Sequence, residues 1–383
     1  MMFEYNDYTS RVDAARNQMC ERGLDAILLF AQESHYYLFG YDSSGYVFFQ
    51  TVVLTADDQP PALLCRRPDV AQARETSTIK DIHVWINAED KNPADDLKII
   101  MKSRGLENKV VGIELDTYGL TAANYRLVQD ALRGFCELVD ASAVIRELRL
   151  IKSSTEIKYT EIAGELADAA VMATYDAADA GVMDSHLNAC AQMAILERGG
   201  DPSPADPLIN SGNRAIYGRS VAGPRRLESP DQILVELAAT YRRYNCCIER
   251  TLLLGKSDPK QIDMHKVVQE TTHAVLNAFV PGEPLGRVDD VHRAMLDKAG
   301  YADERFAACG YSLGATYRPS WMDVPPMIYS GNPLIMRPGM VFFPHVMLGD
   351  SRTGLAVGLG NTIVVTETGS RSLSKLSLDL LLK

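Results

Sequence analysis

The spacing of hydrophobic and polar residues divides the first part of the chain into alternating helices and strands. Residues 10–25 (SRVDAARNQMCERGLD) carry apolar side chains at helical spacing and end near Gly23, and AILLF follows as an apolar run of strand length. Helical stretches such as PADDLKIIMKSRG and TAANYRLVQDALRG alternate with further strand candidates, which are VFFQTVVLT, PALLCR, IHVWI and VVGIEL. The pattern predicts an α/β domain that ends near residue 150.

The second part of the chain begins at a predicted helix start and has a different pattern. Ser153 followed by Glu156 is a capping-box sequence. A helix-rich piece runs to about Gly199, hairpin-like strands follow, and a second helical piece at about 261–299 precedes the last strands. Two stretches, DSHLNACAQMAILERGG and DDVHRAMLDKAGY, resemble each other weakly. They are either halves of a duplicated unit or two amphipathic helices that look alike because each ends in Gly. A chain of 383 residues is expected to form two domains.

One predicted β-hairpin carries two carboxylates on a face that should be buried. Residues 231–255 (DQILVELAATYRRYNCCIERTLLLG) are interpreted as two apolar strands joined by a polar turn at 241–243. With the turn centred there, Glu236 faces Cys247 and shares its face with Glu249. Two carboxylates on one buried face are costly unless they bind something or one is protonated. The alternative is that each pairs with an arginine of the nearby GPRR or YRRY run.

Three other segments offer candidate chemistry. His345 lies in an apolar predicted strand (GMVFFPHVML), either as a catalytic group or as a satisfied core or surface histidine. Residues 309–323 (CGYSLGATYRPSWMD) are rich in Gly, Tyr, Arg and Trp, which suits a small charged or planar ligand, although a plain loop with one packing Trp looks similar. Residues 209–226 (INSGNRAIYGRSVAGPRR) form another loop, whose arginines suit a carboxylate.

The composition favours an enzyme acting on a small molecule over a protein that binds nucleic acid or a membrane. The net charge is -11 without a basic block, whereas nucleic-acid-binding proteins concentrate Lys and Arg on one face. No run reaches the roughly 18 apolar residues of a membrane span, and the acidic N-terminus does not resemble a signal peptide. Seven cysteines without CxxC or zinc spacing indicate reduced thiols, so a cytoplasmic protein is expected.

The motifs occur in the order of a known family. RVDAARNQMCERGLDAILLF and HYYLFGYD resemble the N-terminal domain of the creatinase / aminopeptidase P / prolidase family, and RLIKSSTEI resembles its interdomain signature. INSGNR, DQILVEL, RYNCCIERT, GYSLG, RPGMVFF and NTIVVTETG follow in family order. The resemblance implies a small α/β N-terminal creatinase-like domain, 1–150, and a pseudo-duplicated α+β pita-bread catalytic domain, 151–383. It also implies a homodimer.

The residues at the family's metal-ligand positions have changed. Metallopeptidases of this family bind two metals through two Asp, one His and two Glu. By resemblance, those positions are Glu236, Cys247, Tyr311, His345 and Gly360. Glu236 and His345 are capable ligands and Cys247 is a third candidate, but the oxygen-rich geometry that suits Mn or Fe is lost. We therefore expect no dinuclear metal site and no cofactor, with Cys247 only packing.

The metal-free branch of the family implies roles for several residues. In creatinase, a strand similar to IERTLLL carries a catalytic-site Glu at the position of Glu249. Ectoine hydrolase has a Glu matching Glu236 and a Tyr matching Tyr311. It also has a Tyr-x-Pro-x-Trp loop similar to YRPSWMD, which ends in an acid matching Asp323.

One departure from both enzymes affects the expected proton shuttle. Both place a histidine at the position of Arg219, so His345 is the nearest available substitute. The expected catalytic residues are Glu236, Glu249, His345 and Tyr311. The expected substrate-binding residues are Arg219, Tyr317, Arg318, Trp321 and Asp323.

These observations predict a metal-independent hydrolase of a non-peptide C–N bond in a small nitrogenous compound. An ectoine-type cyclic amidine is the first choice and a creatine-type guanidino acid the second, because both carry a cation for the glutamates and a carboxylate for Arg219 or Arg318. One Glu would attack the electrophilic carbon or orient water, His345 would act as base and then acid, and Tyr311 would donate to the developing charge. The alternatives are a Xaa-Pro peptidase-like enzyme, a C–S lyase relative, and a catalytically silent small-molecule-binding protein.

Overall fold

The computed structural model describes residues 2–219 and 223–383, so three residues of the loop 209–226 lie outside the described part. The chain divides into two compact units, Met1–Arg149 and Leu150–Lys383. None of the helices in the described ranges combines the length and the apolar content needed to cross a bilayer.

The first unit is a six-stranded mixed sheet with helices on its faces. Its helices are α1 (Tyr5–Glu21), α2 (Gln32–Phe39), α3 (Val70–Thr76), α4 (Pro93–Ser103), α5 (Ala122–Leu132) and α6 (Ser142–Leu150). Its strands are β1 (Ala26–Leu29), β2 (Thr51–Thr55), β3 (Ala62–Arg66), β4 (Asp81–Trp85), β5 (Val110–Ile113) and β6 (Glu137–Asp140), in the order β4-β3-β2-β1-β5-β6. Successive residues of β1 enter separate apolar clusters, which explains the uninterrupted AILL run.

One predicted strand of this unit is shorter than expected. VFFQTVVLT was predicted as a strand throughout, but only Thr51–Thr55 pairs, and Gly45–Val47 forms a short 3₁₀ turn. Val47 and Phe48 are exposed, so the start of this apolar run is not a buried strand.

In the described residues of the second unit, four helices pack against a large sheet. The helices are α7 (Ser154–Ala177), α8 (Asp184–Leu196), α9 (Pro259–Asn277) and α10 (Gly286–Lys298). The strands are β7 (Leu208–Ser211), β8 (Asp231–Tyr241), β9 (Tyr244–Leu254), β10 (Gly310–Leu313), β11 (Met322–Met327), β12 (Val341–Asp350), β13 (Leu355–Asn361), β14 (Ile363–Val365), β15 (Ser370–Ser372) and β16 (Leu381–Leu382). The main path is β11-β10-β12-β13-β9-β8-β7. The two stretches that resemble each other in sequence contain α8 and most of α10.

The predicted helix start at the head of this unit is confirmed. The Ser153 hydroxyl accepts from the Glu156 backbone N–H at 3.3 Å, and the Glu156 carboxylate accepts from the Ser153 N–H at 2.8 Å. This reciprocal cap satisfies two backbone donors and begins α7 at Ser154.

The register of the β8–β9 hairpin differs from the predicted one. Arg242 and Arg243 form a two-residue turn with φ of 51° and 66°, as a type I′ turn requires, although the sequence lacks the usual Asn-Gly. Glu236 therefore faces Glu249, and the prediction that it faces Cys247 is wrong. Because the register differs by two residues, which is one full side-chain period, both glutamates still lie on one face, as predicted.

Candidate active site

A transverse row of four residues crosses the sheet of the second unit. Glu236 on β8 pairs with Glu249 on β9, Glu249 pairs with Gly360 on β13, and Gly360 pairs with His345 on β12. Directly paired residues project to the same face of a sheet. The row therefore brings two carboxylates and one imidazole together from strands that are distant in the sequence.

A buried ion pair sets the orientation of the histidine. His345 Nδ1 lies 3.1 Å from Glu249 Oε2, and Glu249 is 0% exposed. The His345 ring stacks on Phe343 at a centroid distance of 5.2 Å and an interplanar angle of 13°. Since the carboxylate accepts, Nδ1 carries a proton, and Nε2 is the ring nitrogen left to exchange protons with a ligand.

A chain of hydrogen bonds holds the second carboxylate. The Tyr311 hydroxyl donates to Glu236 Oε1 at 3.0 Å and accepts from the Trp321 indole N–H at 2.8 Å. Tyr311 and Trp321 are both buried, whereas Glu236 is half-buried. The hydroxyl proton of Tyr311 is thus directed at Glu236. Glu236 thus bonds to Tyr311, and Glu249 bonds to His345.

Glu236 and His345, two titratable groups of the row, have shifted pKa values. Burial raises the pKa of Glu236 to about 7, against the lowering effect of the His345 charge, and the Glu249 charge raises it further. Burial works to lower the pKa of His345, but the hydrogen bond and charge of Glu249, with the charge of Glu236, raise it overall. Near neutral pH the row therefore holds a carboxylate that titrates and an imidazole biased towards its protonated form.

A cavity of about 740 Å³ opens on this face of the sheet. Glu236 and His345 lie on its wall, as do Tyr311, Trp321 and Arg219. Arg219 is exposed, and its positive charge acts on both Glu236 and His345. The volume falls within the range of small-molecule sites.

Four of the predicted site residues lie off the cavity wall, within the ranges that the structure describes. Glu249 lies behind His345. Tyr317 is buried beneath the Arg243 guanidinium, and Asp323 is buried against Gly314. Arg318 is exposed, 3.8 Å from the wall residue Asp206. Within the Tyr-x-Pro-x-Trp motif and the acid that follows it, Trp321 therefore lies on the cavity wall, whereas Tyr317 and Asp323 do not.

Cys247 is a buried thiol behind the wall. Its sulfur lies 3.8 Å from the Tyr311 hydroxyl, in an apolar cluster that includes Cys246 and Phe343. Burial and the charge of Glu236 raise the pKa of the Cys247 thiol well above its usual range. A neutral buried thiol is not a nucleophile.

The residues of the cavity do not fit the dinuclear metal site of the family. A side chain at Gly360 would collide with the Phe343 ring, since an ideal Cβ would lie 2.6 Å from its Cζ, so the space is filled by the ring that stacks on His345. Over residues 2–219 and 223–383, the only three His, Cys, Asp or Glu side chains with converging donor atoms are Asp289, His292 and Cys309. These are buried away from the cavity wall and bonded to one another and to neighbours.

The sequence interpretation missed several residues of the site. Phe343 packs between Tyr311 and His345, and period-two alternation from His345 places it on the same face. Asp206 and Phe306 line the wall from loops, where no pattern in the sequence indicated them.

A two-domain hydrolase scaffold of the pita-bread type is the class that this fold and site define, and comparison with known proteins agrees. Residues 158–367 match metallopeptidase family M24, and residues 11–151 match the creatinase/prolidase N-terminal domain. The chain belongs to metallopeptidase family M24, within the creatinase / aminopeptidase P / prolidase group. The predicted family and fold are confirmed.

Three relatives show the range of this similarity. Ectoine hydrolase of Halomonas elongata is 25% identical over 397 residues, covering 100% of this chain and 98% of that protein. Xaa-Pro dipeptidase of Pyrococcus furiosus is 29% identical over 238 residues, covering 62% of this chain and 67% of that protein. The crystal structure of a dipeptidase from Pyrococcus horikoshii superposes with a TM-score of 0.84 at 23% identity, covering 97% of this chain and 100% of that chain.

Proposed function

We propose that the protein is a metal-independent hydrolase of a non-peptide C–N bond in a small nitrogenous compound. The observation that carries this proposal is the row in which Glu236 and His345 share the cavity wall while Glu249 holds the imidazole from behind. Such a pair supplies a base and an acid near neutral pH. The full-length similarity to ectoine hydrolase makes an ectoine-type cyclic amidine the first substrate class, with creatine-type guanidino acids second.

The charges of the cavity support a substrate that carries both a cation and a carboxylate. An amidinium or guanidinium group is suited to the Glu236 carboxylate and to the face of the Trp321 indole, and both residues are on the wall. Arg219, exposed on the same wall, is suited to a substrate carboxylate through two parallel hydrogen bonds. Arg318 lies outside the wall, so we assign the substrate carboxylate to Arg219 rather than to Arg318.

The proposed reaction uses Glu236 as base and His345 as acid. Glu236 removes a proton from water, whose oxygen bonds to the amidinium carbon. His345 gives its proton to a substrate nitrogen as the C–N bond breaks, and regains one from the hydroxyl as the carbonyl forms. The proton on Glu236 passes to the released amine, which leaves as ammonium. Glu249 stays paired with His345 and stabilises the imidazolium.

Xaa-Pro peptidase activity is the second candidate, favoured by the similarity to the Pyrococcus furiosus enzyme. The donor set argues against it, since a thiol and a glycine, Cys247 and Gly360, stand at two of the family's ligand positions, and Phe343 fills the space beside Gly360. A C–S lyase and a silent binding protein are further alternatives. They predict, respectively, a thiol product and binding without turnover.

The decisive experiment is mass spectrometry of small molecules incubated with EDTA-treated protein. The panel holds ectoine, hydroxyectoine, creatine, related guanidino acids and a Xaa-Pro dipeptide, and Glu236→Gln protein is the matched control. Gain of one water by an amidine or guanidino compound, absent with Glu236→Gln, supports the proposal. Dipeptide cleavage that depends on added Mn²⁺ contradicts it and favours the peptidase. Binding of a panel compound without turnover favours the silent binding protein.

A further inference from the structure

Gly358 lies on β13 two residues before Gly360, on the same face as the transverse row. It pairs with Met347, and its φ is outside the left-handed region, so its backbone conformation does not require glycine. Its N–H donates to the Thr251 hydroxyl at 2.8 Å, and that hydroxyl donates to the Gly358 carbonyl at 3.1 Å. The backbone at this position is therefore held in place by two hydrogen bonds, which oppose a shift of the strand away from a new side chain.

The carboxylate of Glu249 lies against Gly358, in the space that a side chain at this position would occupy. An ideal Cβ at Gly358 would lie 2.6 Å from Glu249 Cδ and closer still to Oε1. Real Cβ atoms do not approach neighbours so closely, so either the carboxylate or the strand would have to shift. The third neighbour, Leu234 Cδ1 at 2.9 Å, is the end of a flexible side chain and can move at lower cost.

The Glu249 carboxylate has little else to hold it. Oε2 contacts His345 Nδ1, while Oε1 is buried and has no hydrogen-bond partner in the described part of the chain. Because Glu249 is fully buried, it cannot swing into solvent when it is displaced. Its position beneath His345 therefore depends on the empty volume above Gly358.

We propose that Gly358 is a positioning residue for the histidine of the site. The absence of a side chain at 358 lets the Glu249 carboxylate lie flat on β13, in reach of His345 Nδ1. That contact keeps the imidazole oriented and favours its protonated form. The inference rests on the proposed function for its catalytic consequence, but the effect of Gly358 on His345 is a property of the protein without substrate.

The primary test is Gly358→Ala, with His345 titrated by NMR in protein that contains no substrate. The resonance is assigned from the spectrum of His345→Gln. We expect the pKa of His345 to fall below its wild-type value, in the same direction as in Glu249→Gln. With a substrate in hand, kcat at pH 7 should fall by about tenfold to a hundredfold, part of what a positioned acid or base contributes. The alkaline limb of the pH profile should move to lower pH.

Gly349→Ala is the matched control. Gly349 lies on the neighbouring strand β12, and the nearest neighbours of an ideal Cβ there are atoms of Ile216, at 3.7 Å or beyond. This variant should keep the wild-type His345 pKa and kcat. An unchanged His345 pKa in folded Gly358→Ala protein overturns the inference.

A double variant covers the case in which Gly358→Ala does not fold. Removing the carboxylate in Glu249→Ala removes the two closest obstacles to a Cβ, so Gly358→Ala/Glu249→Ala should melt close to Glu249→Ala alone. If the double variant also fails to fold while Glu249→Ala folds, Gly358 is needed for another reason and the inference is wrong. Failure of the proposed function is a separate result, namely no turnover of the panel by wild-type protein.

Discussion

Replacement of Tyr311 by Phe tests the electrostatics of the row most directly. The Tyr311 hydroxyl donates to Glu236 Oε1 at 3.0 Å, and this bond lowers the pKa of Glu236, which burial has raised to about 7. A hydrogen bond to a charged group contributes roughly 1.5–3 kcal/mol. Because the bond stabilises the ionised carboxylate more than the neutral carboxyl, its removal raises the pKa of Glu236.

The magnitude follows from the lower end of that range. About 1.4 kcal/mol is a tenfold change in an equilibrium constant, so the Glu236 pKa in Tyr311→Phe would be near 8. At pH 7 the ionised fraction of Glu236 falls from about one half to about one tenth, and at pH 9 it is above nine tenths in both proteins. If Glu236 is the base, kcat/KM of the variant is about fivefold lower at pH 7 and nearly equal to wild type at pH 9.

The assay is kcat/KM against pH for both proteins, with Tyr329→Phe as the control. Tyr329 is a half-exposed tyrosine outside the cavity wall. The acid limb should move to higher pH in Tyr311→Phe alone. A loss of the same size at every pH would mean that Tyr311 donates to the substrate rather than to Glu236, and a limb that moves to lower pH would refute the electrostatic argument.

Three more predictions follow from the same geometry. Glu236→Gln should abolish turnover yet raise the melting temperature by a few degrees at pH 8 and by less at pH 5. The reason is that a carboxyl whose pKa is raised in the folded protein destabilises the fold increasingly as the pH rises from the unfolded pKa, about 4.3, to the folded pKa, about 7. Equal melting shifts at both pH values would contradict this. Arg219→Gln should raise KM for a carboxylate-bearing substrate by about tenfold to a hundredfold with little change in kcat. Arg318 lies off the cavity wall, so Arg318→Gln should change KM less than threefold. A larger rise in KM for Arg318→Gln than for Arg219→Gln would assign the substrate carboxylate to Arg318. The expected homodimer predicts twice the chain mass in light scattering after size-exclusion chromatography, and a single-chain mass would contradict it.

The sequence alone was sufficient for the fold and for the prediction that Glu236 and Glu249 share one face of the hairpin. Periodicity and the capping box located most elements, because helices and strands bury apolar residues at fixed local spacing. The ordered motifs identified the family, and period-two alternation placed Glu236 and Glu249 on one face. That inference survived an error in register, since a shift of two residues does not change which face a side chain occupies.

Only the tertiary structure separated the positions of the two glutamates. Both lie on apolar strands, but pairing through Gly360 puts Glu249 under His345 and leaves Glu236 at the cavity. Arg318 and Asp323 lie off the wall for a similar reason: which residues of a loop face a cavity depends on how the loop packs, which local pattern does not encode. The pKa values of Glu236 and His345 likewise depend on burial and on charges from strands distant in sequence, and only the folded chain brings these together.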